Sequence, residues 1–342
     1  MLELLRDQMR EVITTVVAPS LHADLVRLLG RPGYALSPDG PCRAGVLALE
    51  IHKAVTGHQA GRSALLVASA AEFMMEAAYV FDEVADAAPY GTRSEDLALA
   101  IALFTAGSAG GMEAAADALD PTDAFRHLCS AYSGACAGQF LDAKLQRRGG
   151  ATLEEALQAT CLKSGGLGRF IAGFSARVSG ADREGIALIE QFGADTLTYA
   201  QLADDLRDAC APGEASDVAQ RKATLPVVFY ASAIDSRFPD DGMLTPEIRR
   251  AYESSGASLY VAILAQAYLR RAREDLNRLA VSGYAVTGLV RFLQNIDAVA
   301  RETLVTARDG LVAAPGMAAC VSDPARDGLG VAVGEPRDAV AR

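Results

Sequence analysis

Two clusters of carboxylates at one-turn spacing are the feature of this 342-residue sequence that most clearly points to chemistry. In each cluster the first and last acids are four residues apart. This is about one turn of an α-helix at ~3.6 residues per turn, so their side chains share a face. Like charges placed this way repel, and an isolated helix gains no stability from them. The residues are Asp82, Glu83 and Asp86 in the first cluster and Asp204, Asp205 and Asp208 in the second.

Together the clusters predict a magnesium site for a diphosphate. Mg²⁺ binds one or two carboxylates while it keeps waters and substrate phosphates, so two facing acidic helices can hold several ions around one diphosphate. Either cluster alone is more simply interpreted as a solvated helix face. A metal site is nevertheless favoured here, because each cluster follows an apolar helical stretch and because the second cluster matches the first.

Two lysines could supply the positive charge that a diphosphate needs. Lys163 begins the segment KSGGLGRF, whose small residues allow close helix approach, and Lys222 lies in RKATLP, just before Pro226 restricts the backbone. An ammonium group is a compact point charge suited to a phosphate oxygen, although a single lysine is more often an ordinary surface residue. The segment GGLG lacks the GK[ST] ending of a phosphate-binding loop, which excludes a nucleotide site of that kind.

A bundle of helices must position these groups. Ala, Leu, Arg and Glu recur at helical spacing, whereas the alternating β-branched runs of strands are missing. The pattern predicts one all-α domain over residues 1–312 and a disordered tail at 313–342, where Gly and Pro accumulate. The predicted helices span about residues 2–17, 20–30, 43–56, 61–87, 94–107, 122–147, 153–179, 183–210, 223–235, 245–253, 255–281 and 284–312.

Composition and charge exclude several other classes of protein. The chain has 32 Lys+Arg against 43 Asp+Glu, a net charge of −11, whereas nucleic-acid and anionic-membrane surfaces need basic stripes. No run of about 18 apolar residues is evident, so we expect no membrane span. Six cysteines without a CxxC pair predict reduced, buried thiols and a cytoplasmic location. The four histidines have no ligand spacing, which argues against a structural zinc site.

Five short motifs resemble, in order and spacing, those of the trans-polyprenyl diphosphate synthase family. They are DEVAD at 82–86, GQFLD at 138–142, LKSGG at 162–166, QLADDLRD at 201–208 and KATLP at 222–226. The last two together are fairly specific, whereas DEVAD alone is weak. The resemblance covers residues 40–300 approximately. It implies an isoprenoid synthase bundle around a deep central cavity, a prenyl diphosphate substrate and a homodimer.

The resemblance also implies roles for individual residues. The metal ligands, for three Mg²⁺ ions, are Asp82, Asp86, Asp204 and Asp208, with Asp205 in support. The residues at the substrate diphosphate are Lys163, Gln201 and Lys222. The expected catalytic set is Asp82, Asp86, Asp204, Lys163 and Lys222. In the implied chemistry, metals and lysines stabilise the charge on the departing pyrophosphate and leave an allylic carbocation in an apolar pocket.

The length of the accepted chain is implied by the floor of the pocket. In the family this floor lies four and five residues before the first aspartate, which places Ala78 and Ala77 there, with Phe81 beside them. Both alanines are small, so the floor should be deep. We therefore expect a C15 or C20 diphosphate to be preferred over a C10 one.

The acceptor half of the family's site is altered in this sequence. Pro41 and Cys42 stand where the family has Lys and Arg, with Arg43 one position later. Met75 replaces a His or Gln, and the loop after the first cluster has only Arg93 where the family has a pair of arginines. A hydrogen bond to a charged group contributes roughly 1.5–3 kcal/mol. Loss of these cations should therefore weaken the binding of isopentenyl diphosphate severely.

An intact donor half beside an altered acceptor half favours a class I terpene synthase, which ionises a C15 or C20 diphosphate and cyclises or rearranges the cation. The alternative is a prenyltransferase, either a chain-elongating polyprenyl diphosphate synthase or an enzyme that prenylates an acceptor other than isopentenyl diphosphate. A non-catalytic partner subunit of a prenyl synthase is the alternative from another class. The retained lysines and the complete second aspartate motif argue against that last possibility.

Overall fold

The part of the chain that the computed structural model describes is built from helices and has no β-strand, which confirms the all-α prediction. It covers residues 1–87, 94–209, 211, 216–233 and 244–312, with the backbone alone for 85–87, 94 and 306–312. The helices are α1 (Leu2–Val16), α2 (His22–Leu29), α3 (Arg43–Thr56), α4 (Arg62–Ala87), α5 (Ser94–Ala115), α6 (Pro121–Arg148), α7 (Leu153–Thr160), α8 (Gly166–Val178), α9 (Arg183–Ala209), α10 (Asp217–Gln220), α11 (Leu225–Ala233), α12 (Pro246–Ser254), α13 (Ala257–Val281) and α14 (Thr287–Val312).

Local signals in the sequence set several helix ends. At the start of α6 the side chain of Asp120 accepts a hydrogen bond of 2.9 Å from the backbone N–H of Asp123. This satisfies one of the N–H groups that a helix leaves unpaired at its beginning. At the start of α7, Thr152 and Glu155 bond to each other's backbone N–H groups and form a capping box. Gly149 ends α6 with a φ of 72°, a conformation that favours glycine.

Helix α4 lies at the centre of the bundle, where it contacts α1, α3, α5 and α8. Most of its surface is apolar and buried in the main core, and burial of each large side chain contributes ~1.5–3 kcal/mol. The fully buried residues include Ala68, Ala71, Phe73, Met74 and Ala77. The same helix also buries two carboxyl groups, Glu72 and Glu76, on the side that borders an open cleft. The buried part of α4 therefore fixes the position of the first acidic cluster, which lies near the C-terminal end of this helix.

Helix α5 is longer than predicted. It continues through the glycine-rich segment to Ala115, whereas the sequence pattern ends it near residue 107. The glycines allow close packing instead of terminating the helix. A Cβ on Gly107 would lie 2.6 Å from a side-chain carbon of Met74 on α4, and one on Gly111 would lie 2.4 Å from Leu128 on α6. Tertiary packing thus decides this helix end against the local turn signal.

The predicted helix at 153–179 is interrupted by a wider turn. Residues Cys161–Gly165 form a π-helical turn between α7 and α8, and this turn carries Lys163. Turns of this type are common at functional sites because they change the direction in which side chains point. The short helix α10 is a further element that the periodicity does not predict.

Two helices reach the length and apolar content of a membrane span, contrary to our expectation that no such run exists. They are Arg62–Val84 in α4, with 78% of its most apolar window buried in the protein, and Glu95–Ala115 in α5, with 44% buried. A buried share of 78% is typical of the core helix of a soluble protein. Such a helix can reach the length and hydropathy of a membrane span by composition alone. More than half of the apolar window of α5 is not buried, so its apolar surface requires a separate explanation.

Of the described cysteines, Cys42 is buried, whereas Cys129 and Cys136 are exposed, so the prediction of buried thiols is wrong for this pair. No described cysteine forms a disulfide. The predicted tail at 313–342 and the loop that contains Arg93 lie outside the described residues. The division into a domain at 1–312 and a tail therefore stays a prediction.

Candidate active site

The first acidic cluster lies next to Lys163. The Nζ atom of Lys163 is 2.8 Å from Oδ1 of Asp82 and 3.4 Å from Oδ2 of Asp142 on α6. Gln139 donates a further hydrogen bond of 2.7 Å to the same oxygen of Asp82. Burial lowers the pKa of Lys163, but the carboxylates of Asp82 and Asp142 outweigh it and hold the pKa above its ordinary value. The lysine is therefore a fixed positive charge at the end of α4.

A glycine on α6 allows this helix to approach the π-helical turn that carries Lys163. A Cβ on Gly138 would lie 2.2 Å from the backbone nitrogen of Lys163 and 2.5 Å from the carbonyl carbon of Leu162. Such distances are far inside van der Waals contact, so only glycine allows α6 to approach the π-helical turn. On the other side of the turn, a Cβ on Gly168 would meet the carbonyl oxygen of Gly193 on α9 at 2.1 Å. The predicted close helix approach around KSGGLGRF is thereby confirmed.

The second cluster is held by an arginine within its own helix. Arg207 lies 2.7 Å from Oδ1 of Asp204 and 3.3 Å from Oδ1 of Asp208. The pKa of Asp204 is raised, chiefly by burial and further by Asp208, while Arg207 and the more distant Arg43 lower it. Arg207 is therefore the direct cationic partner of both acids.

Behind these exposed acids, Asp205 is buried. Gln201 donates a hydrogen bond of 2.8 Å to Asp205 and accepts one of 2.8 Å from Ser164 in the π-helical turn. Burial raises the pKa of Asp205 to about 8, with further contributions from Asp217 and Asp142. Gln201 thus connects the second cluster to the turn that carries Lys163, as its predicted place beside that cluster requires.

Lys222 pairs with an acid that the sequence analysis missed. Its Nζ atom is 3.4 Å from Oδ1 of Asp217, the first residue of α10, and the two share a backbone hydrogen bond of 3.0 Å. Burial raises the pKa of Asp217, Lys222 lowers it and Asp208 raises it. The lysine therefore stands beside the second cluster. Of the missed residues, Gln139, Asp142 and Arg207 lay within quoted motifs, whereas no signal in the sequence distinguished Asp217.

Two adjoining cavities border the end of α4, with volumes of about 640 Å³ and 440 Å³. They share Gly33, Glu76 and Tyr79, and we call them together the acidic cleft. The first is lined by Pro32, Gly33, Tyr34, Glu76, Tyr79, Asp82 and Glu83. The second is lined by Gly33, Asp39, Pro41, Arg43, Ala44, Glu72, Met75, Glu76 and Tyr79. The altered acceptor-side residues Pro41, Arg43 and Met75 are thus brought together, whereas Cys42 is buried beneath them.

The predicted chain-pocket residues do not line this cleft. Ala77 is completely buried, and Ala78 and Phe81 are partly buried against the main core. Their role at the floor of a chain pocket stays a prediction. The side chain of Asp86, a predicted metal ligand, lies outside the described residues.

The donor set fits Mg²⁺ bound in part by substrate. Among the described residues, no three His, Cys, Asp or Glu side chains lie close enough to form a metal site on their own. Mg²⁺ does not need such a cage, because one or two carboxylates suffice when phosphates and water complete its shell. The carboxylates of Asp82, Asp204 and Asp208 are 37%, 41% and 48% exposed and hence accessible. Their present cationic partners show that these carboxylates already stabilise positive charge.

Comparisons with known proteins agree with this architecture. The sequence pattern of the polyprenyl synthetase family matches residues 33–250, more than half of the chain. No curated protein gives a significant sequence match.

Solved structures match nearly the whole chain. A decaprenyl diphosphate synthase from Rhodobacter capsulatus has a TM-score of 0.70 at 16% identity, covering 90% of this chain and 96% of its own. A polyprenyl synthetase from Streptomyces coelicolor A3(2) has a TM-score of 0.68 at 22% identity, covering 88% and 96%. A heptaprenyl diphosphate synthase from Staphylococcus aureus has a TM-score of 0.69 at 14% identity, covering 88% and 96%. At these identities the likeness establishes the fold.

The fold is therefore that of the all-α isoprenoid synthases, and in this chain Lys163 pairs with Asp82 at the acidic end of α4. The chain belongs to the polyprenyl synthetase family. The family match and the structural neighbours favour the prenyltransferase alternative over the terpene synthase that the sequence analysis preferred.

Proposed function

We propose that this protein is a Mg²⁺-dependent prenyltransferase that ionises an allylic prenyl diphosphate and transfers its prenyl group to an acceptor. The observation that carries the proposal is the ion pair of Lys163 with Asp82, whose π-helical turn is hydrogen-bonded through Ser164 and Gln201 to the second acidic cluster, in a chain of the polyprenyl synthetase family. Facing acidic groups with interleaved cations suit an anionic substrate only when metal ions are added, because the acids alone would repel it.

The residues of the chain have distinct roles in this proposal. Lys163 and Lys222 bind diphosphate oxygens and stabilise the negative charge that develops on the leaving group. Gln139 and Asp142 are positioning residues, since they hold the end of α4 and the ammonium group of Lys163 in place. Gln201 fixes the buried Asp205 and the adjacent turn of α9.

The accessible carboxylates of Asp82, Asp204 and Asp208, together with Asp86, would hold the Mg²⁺ ions. Mg²⁺ supplies charge neutralisation for the diphosphate when it is bound. Three ions per site, as the family resemblance implies, are part of the proposal.

The donor is proposed to be a C15 or C20 diphosphate, since the family resemblance assigns the small residues Ala77 and Ala78 to the floor of the chain pocket. We further propose a cytoplasmic homodimer. In support, residues Leu97, Ile101, Phe104 and Met112 form an exposed apolar stripe along α5.

The test of the activity is pyrophosphate release from a C15 or C20 diphosphate by the purified chain. We expect release to require Mg²⁺ and to stop in excess EDTA. Asp204→Ala should reduce the rate by at least about a hundredfold, since loss of one electrostatic contact to a developing charge commonly costs this much. Asp7→Asn, in an exposed ion pair on α1, is the matched control and should retain the rate.

Unchanged circular dichroism must accompany the Asp204→Ala result. Full activity in EDTA, or full activity of Asp204→Ala, would contradict the proposal. A cyclic hydrocarbon or terpene alcohol as the main product, formed without any acceptor, would instead restore the terpene synthase reading.

A further inference from the structure

The π-helical turn that carries Lys163 depends on its neighbours for its orientation. A π-helical turn departs from the regular period of the α-helix, so the helix period alone does not fix the directions of its side chains. Two neighbouring helices constrain the turn. Gly138 of α6 lets the backbone of that helix lie directly against it, and Ser164 donates a hydrogen bond of 2.8 Å to Gln201 of α9. A third contact comes from α13.

Helix α13 reaches the turn through Tyr268. The hydroxyl of Tyr268 and the thiol of Cys161, the first residue of the turn, share a hydrogen bond of 3.1 Å. Burial raises the pKa of the Tyr268 hydroxyl, and Cys161 raises it further, so the hydroxyl keeps its proton at neutral pH. Cys161 thus contacts α13, whereas Lys163, two residues later, contacts Asp82 on α4. The bond to Tyr268 therefore opposes rotation of the turn away from α4.

Tyr268 is itself held in place by a buried carboxylate. The guanidinium carbon of Arg271 is 5.1 Å from the centroid of the Tyr268 ring, which is within cation–π distance. Arg271 is fixed in turn by Asp195 of α9, whose Oδ1 atom lies 3.0 Å away, and that side chain is only 3% exposed. Gln191 donates a hydrogen bond of 2.9 Å to the same oxygen. Tyr268 is therefore a supported side chain that can hold the turn.

We propose that Tyr268 is a positioning residue for Lys163. Its hydrogen bond to Cys161 fixes the rotation of the π-helical turn, so that the ammonium group of Lys163 stays directed at Asp82 and at the diphosphate that binds beside it. The proposal rests on the role of Lys163 in the function proposed above. Tyr268 acts through the turn, without contact to the substrate.

The test is calorimetric titration of the full chain with inorganic pyrophosphate in the presence of Mg²⁺, which requires no turnover. Tyr268→Phe and Cys161→Ala should each weaken pyrophosphate binding about two- to fivefold, in the range for loss of one neutral hydrogen bond. Cys161→Ser should keep the wild-type affinity, because a hydroxyl can replace the thiol in the bond. The double variant Tyr268→Phe with Cys161→Ala should bind no more weakly than either single variant, since both remove the same bond.

Tyr284→Phe is the matched control. The hydroxyl of Tyr284, which follows α13, donates a bond of 3.2 Å to Asp182, so the same chemical change is made away from the turn. It should leave the affinity unchanged. A purely structural role of Tyr268 would lower Tm and the folded fraction but not the affinity of the folded protein for pyrophosphate. Wild-type affinity in Tyr268→Phe, or equal weakening by Cys161→Ser and Cys161→Ala, would overturn the proposal.

A second measurement needs no ligand. The loss of Tm caused by Tyr268→Phe is compared in the wild-type chain and in a Lys163→Met background. If the tyrosine supports the contact of Lys163 with Asp82, the loss should be at least about halved when that contact is absent, because coupled residues are not additive. Equal losses in the two backgrounds would overturn the link between Tyr268 and Lys163.

The two proposals fail separately. If the wild-type chain neither binds pyrophosphate nor releases it from a donor, while the two Tm losses differ as expected, the prenyl-transfer activity is wrong and the positioning of Lys163 stands. If the donor reacts but Tyr268→Phe binds pyrophosphate as the wild-type chain does, the positioning inference alone is wrong.

Discussion

At the scale of single residues, Arg207 stands between the predicted metal ligands of α9. Its guanidinium is within hydrogen-bond or ion-pair distance of both Asp204 and Asp208. A cation inside an acidic cluster lowers the mutual repulsion of its carboxylates and competes with a metal for the same oxygens. The arginine therefore stabilises the cluster when metal is absent and should weaken the affinity of the site for Mg²⁺.

We predict that Arg207→Leu raises Mg²⁺ affinity. The exposed pairs it removes contribute ~0.2–1 kcal/mol each, so the Mg²⁺ dissociation constant should fall about two- to fivefold. Calorimetric titration with Mg²⁺ measures this directly. Arg250→Leu, which breaks a similar exposed pair with Glu247 on α12, is the control and should change nothing. A weaker Mg²⁺ affinity in Arg207→Leu would show that the arginine supports the metal site.

A second residue-scale prediction concerns pH. Burial raises the pKa of Glu72 to about 7 and that of Glu76 to about 8, from ordinary values of 4.5. Neighbouring acids, Glu72 and Glu83, raise the pKa of Glu76 further, while the N–H of Ala35 lowers it. Between about pH 4.5 and about pH 8, the folded chain therefore binds more protons at these two groups than the unfolded chain. The free energy of unfolding should therefore fall as pH rises from about 4.5 to about 8.

Glu76→Gln removes one of the carboxyl groups whose pKa is raised into this range, so the fall in Tm from about pH 5 to about pH 8.5 should become smaller. Since ~1 kcal/mol moves Tm by roughly 2–4 °C in a large domain, calorimetry at both pH values resolves the difference. Glu72 still titrates in this variant and leaves a residual slope. An undiminished slope would mean that Glu76 is ionised in the folded chain.

At the scale of elements, the site depends on how closely α6 approaches the turn between α7 and α8. Gly138 is the contact point, because its missing side chain leaves room for the backbone at Lys163. The atoms in the way are backbone atoms, which cannot rotate aside. Gln139 and Asp142 reach Asp82 and Lys163 only while this contact is kept.

We predict that Gly138→Ala separates α6 from the turn, lowers Tm by several degrees and reduces activity at least about tenfold, since overpacking commonly costs ~1–3 kcal/mol. Gly134→Ala, one turn earlier on α6, is the matched control because a Cβ there meets nothing within 4 Å. It should be neutral or stabilising, as alanine in a helix interior is favoured over glycine by ~0.5–1 kcal/mol. Equal behaviour of the two variants would contradict a close-packing role for Gly138.

At the scale of the whole molecule, α5 leaves an apolar face uncovered. The exposed residues Leu97, Ile101, Phe104 and Met112 recur at helical spacing and so share one side of the helix. An apolar patch of this kind on a protein surface commonly marks an interface. A second copy of the chain is the partner that the homodimer proposal supplies.

We predict that the wild-type chain has twice its mass of 35.8 kDa in solution. The double variant Ile101→Glu with Phe104→Glu should be monomeric, because buried unpaired charges oppose association. Light scattering after size exclusion measures both masses. Ile263→Glu, which replaces an exposed apolar residue on α13, should remain dimeric. A monomeric wild-type chain would reject the dimer.

The sequence by itself determined the helical class and most helix positions, because the period of apolar residues is a local property of the chain. It also determined which carboxylates and lysines are the candidates for the chemistry, since the one-turn spacing of Asp204 and Asp208 and the position of Lys163 are readable without a fold. The continuation of α5 through its glycines was not readable, because a glycine that permits packing and one that ends a helix look the same in sequence.

Only the tertiary structure decided which charges meet. The pairing of Lys163 with Asp82 and Asp142 joins residues far apart in the chain. The same holds for the cleft in which Glu76 keeps an oxygen without a partner, since its opposite wall comes from the segment before α3. Whether a carboxyl group faces a cation, another acid or nothing depends on contacts between distant helices. Its pKa and its preferred ligand are therefore properties of the fold, even though its chemistry is written in the sequence.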